Sequence, residues 1–349
     1  MKTQIFHITD PEAQREEVQA AADIIRNGGL LGIPTETVYG LGANGLNTEA
    51  VTHIFEAKGR PQDNPLILHI PEVTWLTRYC RNIPPAAYEL ARRFWPGPLT
   101  MILQRRANVP NVTTGGLDTV GIRCPNHPVT LAIIRAAQVP VAAPSGNLSG
   151  RPSPTCARHM EEDMDGRIDG IVDGGPCGVG VESTIIDLTC SVPRLLRPGG
   201  LPLESLREVL GEVAVDKAVV APLSAGERPK APGMKYRHYA PKAPVTVVTG
   251  DSRRTARYIR RNLGEHTGVI AFSEYAGDFP GCIVHDIGSV RDKGEQARRV
   301  FDALRAFDDT DVTAIFAQCP SEEGLGLAIA NRLKKAAGFQ VVDLGEGEV

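Results

Sequence analysis

The 349-residue chain is 42% hydrophobic, 23% charged and 5% aromatic, with a net charge of −3. This is the composition of a globular protein with room for two cored domains; it excludes a polybasic nucleic-acid coat and argues against an aromatic platform for stacking single-stranded bases. No apolar run approaches the roughly 18 residues of a membrane span, the first residues turn polar and acidic at once instead of forming a leader, and seven cysteines without a C-x-x-C pair imply reduced thiols in a cytoplasmic protein.

In chain order, residues 11–27 carry an amphipathic helical pattern, with Asp10 as N-cap, Pro11 at the first position and Gly28-Gly29 at the end. A strand follows at 30–34. The polar, glycine-rich PTETVYGLG (34–42) reads as a turn, and Asn47 or Thr48 caps a helix to about Ala57. Strand 66–70 follows the Asn64-Pro65 break. Helix 84–94, strand 99–104, the apolar strand ending at Arg123, helix 126–137 and a short strand at 139–142 come next. A helix near 154–165, strands at 168–172 and 183–188 and a helix at 202–210 complete an α/β unit over residues 1–220.

Residues 221–244 hold five prolines and no apolar periodicity, so they read as a linker. Their net charge of +4 stands against −4 for residues 1–220 and −3 for 245–349. From 245 the pattern restarts: strands at 245–249, 268–272, near 282–285, 312–317 and 340–343 alternate with helices at 251–263, 291–307 and 323–337. That is a small doubly wound unit. It lacks G-x-G-x-x-G after its first strand, and Glu322 and Glu323 put acids where a phosphate would sit, which argues against a nucleotide there.

Two short motifs carry the chemistry. Lys58-Gly59-Arg60 sets two cations before a proline, where a helix cannot continue. Ser145-Gly146-Asn147 is a loop whose backbone can approach a ligand closely. Alone, the first is as well read as a solvated helix end. Together, in this order and with PTETVYGLG upstream, they resemble the threonylcarbamoyl-AMP synthase family, whose YrdC-like catalytic domain has K-x-R followed by S-x-N as its hallmark. The resemblance runs from about residue 12 to 200, and APGMKYRHYAP (231–241) resembles the linker of the family's long, two-domain form.

The resemblance implies a YrdC-like twisted mixed sheet around a wide cavity, plus a Rossmann-like doubly wound C-terminal domain. It implies an enzyme, a nucleotidyltransferase, that joins L-threonine, bicarbonate (or CO2) and ATP, with Mg2+ arriving on ATP and no organic cofactor. Pyrophosphate leaves, and threonylcarbamoyl-AMP goes to a downstream transferase that modifies tRNA beside the anticodon. Carried over by motif, Lys58 and Arg60 hold ATP phosphates as the catalytic cations. Asn64, Thr119, Ser145, Ser153 and Arg197 contact ATP, and Asn147 shapes the loop. Thr35 or Thr37, His69, Arg123, the Ala143 backbone and Ser183 form the threonine site. By residue type alone His69 is more readily a satisfied core residue, and Arg123 is also readable as half of a buried structural ion pair. A side-chain general base is not assigned. The basic linker is expected to fold over the cavity, with Tyr236 or Tyr239 on the nucleotide and the C-terminal domain anchoring its far end; it also offers a weak contact to tRNA. Two rivals fit less well. A non-catalytic RNA-binding module conflicts with the acidic first domain, and a hydrogenase-maturation carbamoyltransferase would carry C-x-x-C zinc motifs.

Overall fold

The computed structural model describes residues 2–62, 64–221, 229–234 and 239–345. The chain divides into two compact units. The larger comprises Met1–Ser149, Ser153–Gly178 and Glu182–Lys235; the smaller comprises Gly150–Pro152, Val179–Val181 and Tyr236–Val349.

The larger unit opens with β1 (Gln4–His7), α1 (Arg15–Arg26), β2 (Leu31–Ile33), β3 (Gly40–Asn44) and α2 (Thr48–Lys58). It continues with β4 (Ile67–His69), α3 (Leu76–Tyr79), α4 (Pro85–Phe94), β5 (Leu99–Gln104), β6 (Thr119–Arg123), α5 (Pro128–Ala137) and β7 (Val141–Ala142). It closes with α6 (Ala157–Met164), β8 (Gly170–Asp173), β9 (Thr184–Asp187), β10 (Arg194–Arg197), α7 (Leu203–Leu210) and β11 (Ala214–Val215). The strands form one mixed sheet in the order β1-β8-β2-β3-β7-β4-β6-β5-β9-β10-β11. At its centre, parallel pairing sets His69 opposite Arg123, and antiparallel pairing sets His69 opposite Val141. Residues 18 to 72 positions apart in sequence are thereby brought onto three adjacent strands.

Three local features depart from the sequence pattern. The first helix begins at Arg15 rather than at residue 11. The Asp10 carboxylate caps only a turn, accepting from the Glu12 and Ala13 N–H groups at 3.0 and 3.2 Å, and Gln14 leaves the helical region with φ −109° and ψ 49°. Strand β1 carries no sequence signal because it lies at the sheet edge and buries only Phe6. The segment expected to be a glycine-rich turn contains strand β3. A Cβ on Gly42 would stand 2.9 Å from the Val141 side chain, and one on Gly40 3.2 Å from that of Ala143. Glycine here lets β7 pack closely against β3.

Helix α2 is built as its ends dictate. Asn47 caps it, accepting from Glu49 and Ala50 N–H, and Gly59 closes it in the left-handed region at φ +61°. Lys58 therefore occupies the last helical position, and Arg60 is turned away from the helix axis.

The smaller unit contains β12 (Val245–Thr249), α8 (Ser252–Arg261), β13 (Thr267–Ala271), β14 (Ile283–Asp286), α9 (Lys293–Ala306), β15 (Ala314–Gln318), α10 (Gly326–Ala336) and β16 (Val341–Asp343). Its five strands are all parallel, in the order β14-β13-β15-β12-β16. An all-parallel sheet requires crossovers; α8, α9 and α10 supply three of them, and the short 3-10 segment Ser273–Asp278 lies between β13 and β14.

Part of the expected linker is core. Ala231 and Met234 are buried in the larger unit with Ile67, Ile102, Ile185, Leu196 and Ala218. Residues 222–228 and 235–238 of that stretch lie outside the described residues. Met234→Ala is expected to destabilise the larger unit by about 2–3 kcal/mol, the usual cost of emptying a buried Met site. Urea unfolding followed by hydrogen exchange in that unit measures it; a loss below about 0.5 kcal/mol would mean that Met234 rests on the surface.

Candidate functional site

The ends of β2, β4, β6 and β7 and the loops that leave them gather most of the residues singled out by motif. After β2, residues 34–39 form a tight hydroxyl-bonded turn. The Thr35 hydroxyl donates to the Val38 carbonyl at 2.6 Å and accepts from the Thr37 and Val38 N–H groups at 3.2 Å each. Its oxygen also lies 2.8 Å from Thr37 Oγ1. Since the Thr35 proton is spent on Val38, Thr37 donates in that pair and keeps lone pairs to accept with. Thr35 thus shapes the loop, and Thr37 is the one with capacity for a ligand.

Between the two threonines stands Glu36. Its carboxylate lies 2.8 Å from Arg123 Nη2, and side-chain exposure is 11% for Glu36 and 5% for Arg123. Arg123 is half of a buried ion pair, and the pair still has unused capacity. Glu36 Oε1 and Oε2 accept no hydrogen bond, and Arg123 Nε and Nη2 donate none, among the described residues. Asn64 is also fully buried with both side-chain polar atoms unpartnered. Buried polar groups left this way are rare and costly, and they call for a partner from outside the chain, a water, an ion or a ligand.

His69 projects from the end of β4, with Nδ1 at 3.2 Å from the Ile67 carbonyl and 3.3 Å from that of Val141. Both partners are acceptors, so Nδ1 carries the proton and Nε2 is left as an acceptor. Burial, aided by the Arg123 charge, pushes the imidazole pKa down to about 3. Ala143, just after β7, has its N–H committed to the Ile67 carbonyl at 3.0 Å. Only its carbonyl remains for the backbone contact expected there.

Lys58 ties the two hallmark motifs together. Its ammonium is buried and donates to the carbonyls of Ser145 and Asn147, while the Ser149 N–H returns a bond to the Lys58 carbonyl at 3.0 Å. The charge expected to grip phosphate is thus also the tie that orders the Ser145–Asn147 loop. The Asn147 amide donates to the Leu148 carbonyl at 2.8 Å, consistent with a loop-shaping residue. Arg60 follows the left-handed Gly59 and is partly exposed. Thr119, at the start of β6 and paired in register with Gln104, is partly exposed at the opposite end of its strand from Arg123.

A second group forms around β9. The Ser183 hydroxyl lies 2.8 Å from Thr100 Oγ1, and the Arg197 guanidinium donates to the Ser183 carbonyl from Nε and Nη2 at 3.1 and 2.9 Å. Arg197 Nη1 reaches the Pro232 carbonyl at 3.3 Å. Arg197 is therefore a brace between the start of β9 and residues 231–234, beyond the ATP contact expected of it. The Ser153 hydroxyl is buried and donates to Glu182 at 2.6 Å. Gly199 sits against this corner, where a Cβ would fall 2.2 Å from the Glu182 carbonyl oxygen, so no other residue fits without a backbone shift.

Tyr236 lies outside the described residues. Tyr239 does not present its ring for a nucleotide: it is buried in the smaller unit, 5.1 Å from the Phe301 ring, with the Arg332 guanidinium 5.4 Å from its centroid. Packing against an aromatic and a cation accounts for the aromatic character read in the linker. Sequence reasoning missed Glu36, Thr100 and Glu182. For Glu36 a signal existed, an acid held between two threonines at the end of an apolar strand; Thr100 and Glu182 carry none, because only folding sets them beside Ser183 and Ser153. Among the described residues no group of three His, Cys, Asp or Glu side chains forms a metal site, and no helix is long and apolar enough to cross a membrane. No disulfide involves any of the seven cysteines among the described residues.

The known proteins most informative for this chain agree with one another. A model for the Sua5, YciO and YrdC proteins, described as telomere recombination, matches residues 23–199, and one described as the threonylcarbamoyl-AMP synthase C-terminal domain matches residues 201–338. The chain is 49% identical over 335 residues to the threonylcarbamoyl-AMP synthase of Pyrococcus abyssi, covering 93% of this chain and 95% of that one. It is 46% identical over 349 residues to that of Bacillus subtilis, covering 98% and 100%. The solved structure of Pyrococcus abyssi Sua5 complexed with L-threonine matches with a TM-score of 0.92 at 45% identity, covering 99% of this chain and 100% of that one.

Burial of a neutral His69 has a measurable signature. Above about pH 6.5 the imidazole is neutral in both folded and unfolded chains and adds no slope. Below that, down to about pH 3, the unfolded chain binds a proton that the folded one refuses. Stability therefore falls on acidification, by up to about 1.4 kcal/mol per pH unit from this group. Urea unfolding between about pH 7 and pH 5 is expected to show a shallower fall for His69→Gln than for the unsubstituted chain; equal slopes would contradict the assignment.

Proposed function

Because the chain belongs to the threonylcarbamoyl-AMP synthase family, we propose that it makes threonylcarbamoyl-AMP from L-threonine, bicarbonate or CO2 and ATP, with release of pyrophosphate. The observation that carries the reading is the unfilled buried polarity around Arg123, Glu36 and Asn64, beside the cations of the Lys58 and Arg60 motif. A site that holds unused donors and acceptors in its dry wall is suited to a small polar substrate, not to an RNA surface.

In this reading Arg123 receives the threonine carboxylate as a planar fork, and Thr37, His69 and Ser183 supply the remaining polar contacts. The amine is carboxylated, and a carbamate oxygen attacks the α-phosphorus of ATP while the bond to pyrophosphate breaks. Attack of an anion on a polyanion requires fixed positive charge at the transition state. Lys58 and Arg60 supply it, and Mg2+ enters on the triphosphate as part of the substrate. Asn64, Thr119, Ser145, Asn147, Ser153 and Arg197 complete the nucleotide side. The product is a mixed anhydride whose threonylcarbamoyl group a downstream transferase moves to an adenosine beside the anticodon of tRNA, in the cytoplasm.

Pyrophosphate release from purified protein and MgATP is expected to require threonine and bicarbonate together. Serine is expected to support some release, since one methyl group discriminates by only about 1–3 kcal/mol. Equal rates with glycine would sink the substrate assignment. Lys58→Ala and Arg60→Ala are each expected to lower turnover at least about 100-fold. Lys58→Ala alone is also expected to cost about 2 kcal/mol in stability, because it strips the Ser145 and Asn147 carbonyls of their donor. Near-normal turnover in Arg60→Ala would make that cation a surface residue.

A further inference from the structure

The contact between Glu36 and Arg123 is an unusual buried ion pair. Such pairs are ordinarily laced with hydrogen bonds that use up the remaining lone pairs and protons. Here Glu36 Oε1 and Oε2 and Arg123 Nε and Nη2 are all buried and all unused, although the two groups approach to 2.8 Å. Two unused donors on a fixed cation beside two unused acceptors on a fixed anion form the negative image of a zwitterion. An α-amino acid carries its carboxylate and ammonium one carbon apart and complements both halves at once.

Resting on the synthase reading, we propose that Glu36 is the catalytic base of the carboxylation half-reaction: it binds the ammonium of threonine and takes its proton. The role follows from partner exchange. When the substrate carboxylate occupies the guanidinium, the Glu36 carboxylate is left facing the substrate ammonium, and proton transfer between them leaves a neutral acid beside a neutral amine and spares two buried charges. A Glu36 oxygen takes one ammonium proton, leaving the nitrogen lone pair free. That pair forms the N–C bond to CO2 while a C–O π pair moves onto oxygen. The second nitrogen proton passes to water, leaving the carbamate, and Glu36 returns its own proton to water. Overall, ammonium and CO2 become carbamate and two protons.

The other titratable groups around Glu36 fit this role less well. His69, from β4, has Nδ1 tied to two carbonyls and is held neutral by burial and by Arg123. His127, just before α5, is pushed toward neutrality by burial. The thiols of Cys124 and Cys177 and the phenol of Tyr39 are all pushed up by burial and stay protonated.

The test has two arms. In the first, pyrophosphate release by wild type and Glu36→Gln is measured against pH at saturating threonine, bicarbonate and MgATP. The variant is expected to be about 100-fold slower near neutrality. Its rate is expected to climb about tenfold per pH unit toward the wild-type rate, as water takes over removal of the ammonium proton. A parallel pH profile, with the variant slower by a constant factor, would overturn the proposal. The second arm uses wild type alone, so it stands even where the variant does not fold. 2,3-Dihydroxybutanoate, which carries a hydroxyl in place of the amine of threonine, is expected to compete at least about 100-fold more weakly than threonine binds, because it leaves Glu36 buried without a cation. Comparable affinity would overturn the proposal. Wild type that releases no pyrophosphate with all three substrates overturns the synthase reading and this proposal together; active wild type with a contrary result in either arm overturns only the role of Glu36.

Discussion

The buried ammonium of Lys58 is the tie on which the site depends. A lysine is seldom buried, and here its charge is compensated by oriented backbone dipoles, the carbonyls of Ser145 and Asn147. Through that tie the end of α2 and the loop after β7 become one rigid feature.

The sheet contributes a different constraint. His69, Arg123 and Val141 lie side by side because parallel and antiparallel pairings meet at β4, and only that mixed register brings those strand ends together. Arg123 then needs an anion, and the turn after β2 brings Glu36 to it. The turn itself is specified locally: the Thr35 hydroxyl satisfies the backbone groups that a six-residue reversal would otherwise leave open. A few hydroxyls thus position a charge pair that the strands by themselves would leave incomplete.

Much of the fold was legible because most elements carry one period over enough residues. Strands β5 and β12 coincide with their apolar runs, and α2 starts at its cap signal at Asn47. The failures share a cause. Strand β1 buries a single side chain, β3 has glycine at two of its five positions, and Met234 looks like linker because proline and charge surround it. In each case the deciding interaction is with a residue far away in sequence, which local composition cannot register.

What the sequence by itself determined is the set of chemical groups and their motifs: K-x-R, S-x-N, the threonines of the turn after β2, and the alternation that implies two α/β units. These are local properties, written in residue type and spacing. What only the tertiary structure decided is which group each residue meets. Lys58 meets two carbonyls, Arg123 meets Glu36, Arg197 meets Ser183 and Pro232, and Tyr239 meets Phe301 and Arg332. The physical reason is that a charge or an aromatic ring can be satisfied by many partners of similar energy. Strand register and close packing, set by the whole chain at once, select among them.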